Sequence, residues 1–221
     1  MQRIIYYPYF ATIDNGRYIL IWYKDSVKGD VFLKANGKPV VGLNKSDIEK
    51  QLRNKKLRIE WSQAADVDLD ALPPVINKMS RTHSSNKKQS NLLLNAWNFF
   101  EDLTRTFGIE KTFSSFKNPL LDKVYDKLFW GSNLKAVTPA NTSYSPIWDD
   151  EEIRALQFFL TKAKEVLTPK ITGKRSQALR SHDRARSALA SGPAARPGER
   201  PSTPARAGAR GRPLKAKKRK N

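Results

Sequence analysis

The stretch Arg3–Lys24 reads RIIYYPYFATIDNGRYILIWYK, two segments rich in Ile, Tyr and Phe on either side of a tight-turn signal. The composition of both segments is typical of β-strands. Between them stands Asp14-Asn15-Gly16, and Asn-Gly favours a type I′ turn, whose two central residues have positive φ. The stretch therefore predicts a β-hairpin, and Pro8 indicates that the first strand is a sheet edge or is broken there.

Two further short segments extend this hairpin. Asp30–Lys34 has the composition of a short strand, and a second Asn-Gly, Asn36-Gly37, leads to Lys38–Val41. We therefore expect an antiparallel meander of about four strands. Leu57–Trp61 alternates apolar and polar residues, which is compatible with one more strand.

The second half of the chain has helical periodicity. Apolar residues recur at steps of three or four along Asn91–Phe107, and Asn118-Pro119 pairs an N-cap with a first-turn proline in a segment that ends at Gly131. Asp149–Glu152 brings four acidic residues to the start of a last helix, which Thr168-Pro169 should end. The predicted fold class is α+β: an N-terminal antiparallel β-meander followed by three main α-helices.

The composition changes near Gly173. Residues 173–221 contain no aromatic residue, no Ile and no Val, and consist mostly of Arg, Lys, Ala, Pro and Gly. They hold 15 basic and 2 acidic residues, a net charge of +13, whereas residues 1–172 hold 26 basic and 19 acidic residues, a net charge of +7. Because such a segment cannot bury a core, we predict one globular domain over 1–172 and a disordered basic tail over 173–221.

The residue types also restrict the chemistry. The absence of Cys excludes disulfides, Cys-based zinc sites and thiol nucleophiles. The two histidines, His83 and His182, lie in polar segments beside no recognisable nucleophile. Asp66–Asp70 lacks the Gly and Glu of a calcium loop, which favours a solvated acidic loop or a helix entry. We predict a protein that is not an enzyme and binds no cofactor or metal, with a carboxylate-based active site as the alternative left open.

No segment reaches the roughly 18 apolar residues of a membrane helix. The first ten residues have the character of an aromatic strand and lack the charged and apolar regions of a signal peptide. We therefore expect a cytoplasmic protein without a membrane partner.

Aromatic strands and one long loop supply the candidate partner-binding residues. Half-exposed aromatics on a sheet suit a protein–protein interface, where Tyr and Trp contribute much of the binding energy, and could also stack bases. The loop Ser132–Trp148 is the second candidate surface, and Trp130, just before it, and Trp148 either contact a partner or fix the loop to the core. The predicted contact residues are Tyr7, Tyr9, Trp22, Trp130, Asn133, Tyr144 and Trp148.

Three segments carry a family resemblance: Leu92–Leu103 (LLLNAWNFFEDL), Leu128–Pro139 (LFWGSNLKAVTP) and Tyr144–Ile153 (YSPIWDDEEI). Together with the aromatic meander they resemble small bacterial proteins found beside polymorphic toxin genes, including immunity proteins of contact-dependent inhibition systems. The resemblance implies a cytoplasmic protein that binds and neutralises one toxin domain. Immunity proteins against nucleases are often acidic, and the net charge of +7 on residues 1–172 argues against a basic nuclease as the target.

The tail suggests a second function. Arg210-Gly211-Arg212-Pro213 matches the core of an AT-hook, in which Arg-Gly-Arg lies in the narrow minor groove of AT-rich DNA. A nuclear localisation signal and a nonspecific polycationic arm are the alternatives, and we favour the arm. The predicted nucleic-acid-binding residues are Arg210, Arg212, Lys215, Lys217, Lys218, Arg219 and Lys220.

Overall fold

The computed structural model describes residues 4–116 and 118–173. The elements in these residues are β1 (Tyr7–Ile13), β2 (Gly16–Asp25), β3 (Gly29–Phe32), β4 (Lys34–Ala35), β5 (Lys38–Pro39), β6 (Val41–Gly42), α1 (Lys45–Gln51), β7 (Ala65–Asp68), α2 (Leu72–Thr82), α3 (Lys87–Phe107), α4 (Glu110–Ser114), α5 (Pro119–Gly131) and α6 (Asp150–Thr172). The α+β class, with sheet strands preceding the main helices, is confirmed. The basic tail and its predicted nucleic-acid-binding residues lie outside the described residues.

The predicted hairpin is formed by β1 and β2, which pair antiparallel from Tyr7↔Trp22 to Ile13↔Gly16. The two turn residues are Asp14 and Asn15, with φ of 50° and 62°, as a type I′ turn requires. Gly16 is therefore the first residue of β2 and not a central turn residue. A Cβ at this position would lie 2.9 Å from the Tyr18 ring, so the glycine makes room for an aromatic side chain.

The sheet has the order β3-β2-β1-β7, and β6 pairs with β2 beside this path. Only the first three predicted strands follow one another as a meander. The fourth, Lys38–Val41, is divided: β5 pairs with β4 in a separate hairpin, and Val41 in β6 pairs with Leu20 of β2. The free edge of β3 is occupied by α3 instead, since Thr106 Oγ1 accepts from Phe32 N at 2.8 Å and Arg105 donates to Asp30 O.

Of the two alternatives predicted at Pro8, that of a sheet edge is wrong, because β1 lies between β2 and the parallel strand β7. Just before β1, Tyr6 N donates to Arg58 O and Tyr6 O accepts from Glu60 N. Because backbone groups alternate in direction along a strand, those of every second residue after Tyr6 face the same side of β1. Pro8, which has no N–H, lies between this bridge and the ladder that begins at Tyr9. The other alternative, a break at Pro8, applies to the pairing on the β7 side, which is interrupted in that gap, whereas the pairing with β2 continues through Pro8↔Ile21. The predicted strand at Leu57–Trp61 is reduced to the bridge at Ile59.

The acidic segment Asp66–Asp70 is part strand and part helix entry. Its first residues belong to β7, and Val67 is buried against the core. Asp68 Oδ1 accepts from the amides of Asp70 and Ala71 just before α2 begins. The strand assignment corrects the prediction of a solvated loop, since the core-facing Val67 holds the segment against the sheet.

Both faces of the sheet are covered. Tyr9 and Phe32 face the main core, which contains the apolar sides of α2, α3, α5 and α6. Ile19 and Ile21 face a smaller core closed by Ile48 of α1, with Tyr6, Phe10, Leu57 and Trp61 packed around it. This second core uses aromatic residues that would otherwise be open to a partner.

The predicted start of α5 agrees with its cap, in which Asn118 Oδ1 accepts from Leu121 N at 3.1 Å ahead of Pro119. The predicted end of α6 at Thr168-Pro169 is wrong, because the helix continues through Pro169 to Thr172. Proline removes one helical hydrogen bond, but Ile171 in the following turn is buried, and its packing favours continuation. Gly173, with φ of 69°, then caps the helix through its N–H bond to Pro169 O.

Asp70 joins three parts of the chain. Its carboxylate accepts from Asp14 N at 2.9 Å and Asn15 N at 2.8 Å, which fixes the β1–β2 turn. It also accepts from Lys164 Nζ of α6 at 3.0 Å. Burial acts to raise the pKa of Asp70, but the two turn amides and the Lys164 ammonium together lower it.

We predict that Asp70→Ala destabilises the fold by about 1–3 kcal/mol, because two turn amides lose their acceptor and Lys164 keeps only its ion pair with Asp14 at 3.4 Å. The depressed pKa gives a contribution that is present above the ordinary aspartate pKa and is lost as pH falls through the folded value. Urea unfolding at neutral pH and near pH 3 measures the difference. Glu49→Ala, which removes an exposed carboxylate on α1, should stay within about 0.5 kcal/mol of wild type. Equal effects of the two substitutions would contradict this role of Asp70.

Candidate functional site

The loop between α5 and α6, residues 132–149, is closed by a reciprocal pair of hydrogen bonds. Asn133 Nδ2 donates to Tyr144 O at 2.9 Å, and Tyr144 N donates to Asn133 Oδ1 at 2.7 Å. Asn133 adopts a left-handed conformation with φ of 48°, which Asn tolerates better than most residues. Asn133 is thus the residue that ties the two ends of the loop together.

The end of the loop is anchored by Trp148, which is 2% exposed. Its Nε1 donates to Ser85 Oγ at 3.0 Å, and its backbone N donates to His83 O at 2.8 Å. The sequence predicts that Trp148 either contacts a partner or fixes the loop to the core, and its burial supports the second role. A partner cannot reach its ring in this conformation, so Trp148 is not a surface contact.

Gly131, at the last position of α5, allows the loop to pass directly against α3. A Cβ here would lie 2.5 Å from both Pro146 Cγ and Ser90 Oγ. Lys127, one turn earlier, donates to Ile147 O at 2.9 Å and pairs with Glu152 of α6. The loop is therefore fixed to α5 through Lys127 and to the segment between α2 and α3 through His83 and Ser85.

Apolar side chains are concentrated on this fixed loop and on the helix turn before it. The large hydrophobic side chains that are exposed within the described residues number ten, and half of them lie between positions 130 and 147. Ile147 is 75% exposed and Trp130 is 49% exposed. The full set is Trp130, Leu134, Val137, Tyr144 and Ile147. We call these five residues the loop surface.

The sheet aromatics predicted for partner contact do not join the loop surface. Tyr7 and Trp22 are half-buried neighbours on β1 and β2, with ring centroids 5.7 Å apart. Tyr9 is 9% exposed and its ring packs against Phe32 and Phe99, which leaves little of its surface for a partner. The structure thus brings Trp130, Asn133 and Tyr144 together and places Tyr7 and Trp22 elsewhere.

A second feature is a cleft of about 550 Å³ beside α3, which we call the α3 cleft. Asp102 is the most buried carboxylate that lines it, with 8% exposure. Its Oδ1 accepts from Arg105 Nη1 at 2.5 Å and its Oδ2 from Trp22 Nε1 at 3.2 Å. Arg105 also donates to the backbone oxygen of Asp30, so one side-chain network joins α3 to β2 and β3.

The rim of the α3 cleft is polar and aromatic. Asp66 of β7 and Asp30 of β3 line it on the sheet side. Tyr125 of α5 lines the opposite side, where its hydroxyl donates to Asn98 Oδ1 at 3.3 Å. The ring of Tyr125 packs edge-on against buried Trp97, which fixes its position.

Burial dominates the electrostatics of the cleft. It raises the pKa of Asp102 to about 7, although Arg105 and the Trp22 indole act in the opposite direction. Burial, with the nearby charges of Asp102 and Asp66, also raises the pKa of the Tyr9 hydroxyl above its usual value. Tyr9 therefore remains a neutral hydroxyl at the cleft at physiological pH.

Sequence reasoning missed Asp102 and Arg105. The sequence feature that could have identified them is an oppositely charged pair three positions apart on α3. The pair closely follows Phe99 and Phe100, which belong to the predicted apolar side of the helix. An aspartate in such a place must find donors when the helix is buried. The donors come from β2 and from the next turn of α3, and only the fold identifies the first of these.

No protein-family model matches the chain, and no curated protein and no solved structure is significantly similar to it. The resemblance to immunity proteins therefore stays a prediction that rests on the quoted segments. No helix in residues 4–116 and 118–173 combines the length and apolar character needed to cross a lipid bilayer.

The raised pKa of Asp102 predicts a pH-dependent stability. Between about pH 4 and 7 the folded state retains a proton that the unfolded state has released, so this group makes the fold less stable as pH rises through that range. Urea unfolding of wild type and Asp102→Asn at several pH values should show their difference in unfolding free energy changing from pH 4 to 7 and levelling above it. Glu49→Gln should show no such change, and a constant difference for Asp102→Asn would contradict the assignment.

Proposed function

We propose that the chain is a non-enzymatic protein-binding module that contacts its partner through the loop surface. The concentration of exposed Trp, Tyr and aliphatic side chains on one hydrogen-bonded loop and the helix turn before it is the observation that supports this most strongly. Trp and Tyr are the residue types that most often dominate binding energy at interfaces. A loop fixed before binding also loses less conformational entropy on association.

We further propose that the partner is a bacterial toxin domain and that the chain neutralises it in the cytoplasm as an immunity protein. This step rests on the family resemblance. Two of the three segments that carry it, Leu128–Pro139 and Tyr144–Ile153, contain all five residues of the loop surface. The Cys-free sequence is compatible with a reducing compartment.

A non-enzymatic role also suits the α3 cleft. Its buried carboxylate, Asp102, is engaged by Arg105 and Trp22 on both oxygens. An acid–base catalyst needs a carboxylate that can reach a substrate proton. Asp102 is better placed to connect helix and sheet than to take part in a reaction.

The test uses the protein encoded beside this chain's gene, purified with an inactivating substitution. We expect wild type to bind it, and the double variant Trp130→Ala/Tyr144→Ala to bind at least about thirtyfold more weakly, because hot-spot aromatics contribute about 2 kcal/mol or more each. Isothermal titration calorimetry measures the affinity. Growth rescue on co-expression with the active neighbour measures neutralisation.

Phe158→Ala is the matched control, because Phe158 is 52% exposed on α6 and outside the loop surface. It should bind and rescue growth like wild type. A double variant that binds normally would remove the loop surface from the interface. A neighbouring gene product that is not toxic, or that does not bind, would contradict the immunity role.

Nucleic-acid binding through the tail is the second candidate function. Residues 173–221 carry a net charge of +13 and contain Arg210-Gly211-Arg212-Pro213. Such a density of Arg and Lys displaces counterions from the phosphate backbone and gives affinity without sequence preference.

We predict that a chain ending at Gly173 loses at least about tenfold in affinity for duplex DNA at low salt. It should retain partner binding, since α6 and its cap are complete at that residue. Fluorescence anisotropy with AT-rich and GC-rich duplexes, over a salt series, measures this. In the full chain, Arg210→Ala/Arg212→Ala should weaken both duplexes equally if the tail is a polycationic arm. DNA binding that survives truncation would assign it to residues 1–173.

A further inference from the structure

The positive charge of residues 1–172 is concentrated around the loop surface. Residues 71–100 and 127–148 together contain six basic residues and no Asp or Glu, whereas residues 1–172 as a whole carry +7. The two segments meet in the fold, since Ser84 pairs with Ile147 and Ser85 N donates to Pro146 O. The side of the molecule that presents the loop surface is therefore basic.

A hollow of about 660 Å³ lies on this side, and we call it the loop hollow. Lys87, in the first turn of α3, and Lys135, in the loop, both line it. Both lysines are exposed, and neither forms an ion pair or a hydrogen bond with another described residue. The described residues on its wall include no Asp or Glu. Two positive charges in the loop hollow are therefore available to a ligand.

The loop hollow adjoins the loop surface. Leu134 directly precedes Lys135, and Tyr144 stands between Ser143 and Ser145, which also line the hollow. Protein interfaces commonly combine an apolar centre with a polar rim. A partner that covers Leu134 and Tyr144 also covers the hollow, and lysines that are covered without an opposite charge reduce the affinity.

We propose that the loop hollow accepts acidic side chains of the protein partner, with Lys87 and Lys135 as the opposing charges. The inference rests on the proposed function and states the charge of the partner's contacting face. The chain's own residues 173–221 carry +13 and have the wrong sign to occupy the hollow. Protein–DNA interfaces are more polar than protein–protein interfaces, and the apolar loop surface beside the hollow favours a protein.

The first test measures affinity for the inactivated product of the neighbouring gene. We expect Lys87→Gln/Lys135→Gln to weaken binding by about threefold or more at low salt, because each exposed ion pair contributes modestly. The difference from wild type should shrink at about 0.5 M salt, where exposed charges are screened. Lys24→Gln/Lys38→Gln removes two exposed lysines from β2 and β5 and should bind like wild type.

The second test needs no partner and uses NMR of the full-length ¹⁵N-labelled chain. The probe is the blocked peptide acetyl-Glu-Glu-Glu-Glu-amide, and the control ligand is the same peptide with Gln in place of Glu. We expect the glutamate peptide alone to produce saturable shifts of the Ser143 and Ser145 backbone amide signals. These signals report on the loop hollow, so peptide bound to residues 173–221 is not counted. Lys87→Gln/Lys135→Gln should weaken this titration by about threefold or more, and Lys24→Gln/Lys38→Gln should leave it unchanged.

No saturable shift, an equal shift with the glutamine peptide, or equal weakening by both double variants would overturn the proposal. Loss of duplex DNA affinity in Lys87→Gln/Lys135→Gln, with partner affinity unchanged, would assign the hollow to nucleic acid instead. A wild-type dimer that dissociates in this variant, seen by light scattering, would replace the partner by a second copy of the chain. Failure of the loop-surface substitutions to weaken partner binding would overturn the proposed function while leaving the peptide titration as it stands.

Discussion

Helix α3 must bury apolar side chains on two sides at once, and the rest of the structure is arranged around that requirement. On the sheet side Phe99 packs against Tyr9 of β1 and Phe32 of β3. On the helical side Trp97 packs against Phe159 of α6, with ring centroids 4.1 Å apart. A helix that is apolar on most of its circumference is stable only when it is enclosed. The sheet and the pair α5–α6 provide the two layers that enclose it.

Because α3 is enclosed, its buried polar side chains need hydrogen-bond partners within the protein. Asp102 and Thr106 are buried with the helix, and a buried polar group without a partner is costly. Thr106 accepts from the edge of β3, and Asp102 accepts from Trp22 of β2. The same bonds protect the sheet edge and hold the aromatic wall of the α3 cleft. The cleft is therefore a consequence of how the central helix meets the sheet.

The features that sequence predicts well are those whose cause lies within a few residues. The β1–β2 turn follows from Asp14-Asn15-Gly16, and the start of α5 from Asn118-Pro119, because caps and turns are local hydrogen-bonding problems. The parallel strand β7 could not be predicted this way, because its partner β1 lies more than fifty positions earlier in the chain. The predicted end of α6 at Pro169 is wrong for the same reason. The local effect of proline is to end a helix, and burial of Ile171 by residues distant in the sequence outweighs that effect.

The residues of the candidate site divide in the same way, into those that the local sequence predicts and those that only the fold identifies. Tyr144 could be chosen from sequence because a long loop between helices usually exposes its side chains, and Trp130 because it stands in the last helix turn before that loop. Tyr9 and Trp148 could not be separated from them, since an aromatic residue has the same local pattern whether it anchors a loop or contacts a partner. Asp102 stands on α3 and its donor Trp22 on β2, eighty positions earlier in the chain, so only the fold identifies this pair in the α3 cleft.

The loop surface has a rigid support. Ser90, near the start of α3, lies beside Gly131, and Ser85 Oγ accepts from the Trp148 indole at 3.0 Å. Because α3 is enclosed by the sheet and by α5 and α6, the loop that rests beside it is held in place before a partner arrives. A surface that is fixed before binding loses less conformational entropy on association, so the enclosure of α3 that determines the fold also favours the proposed contact.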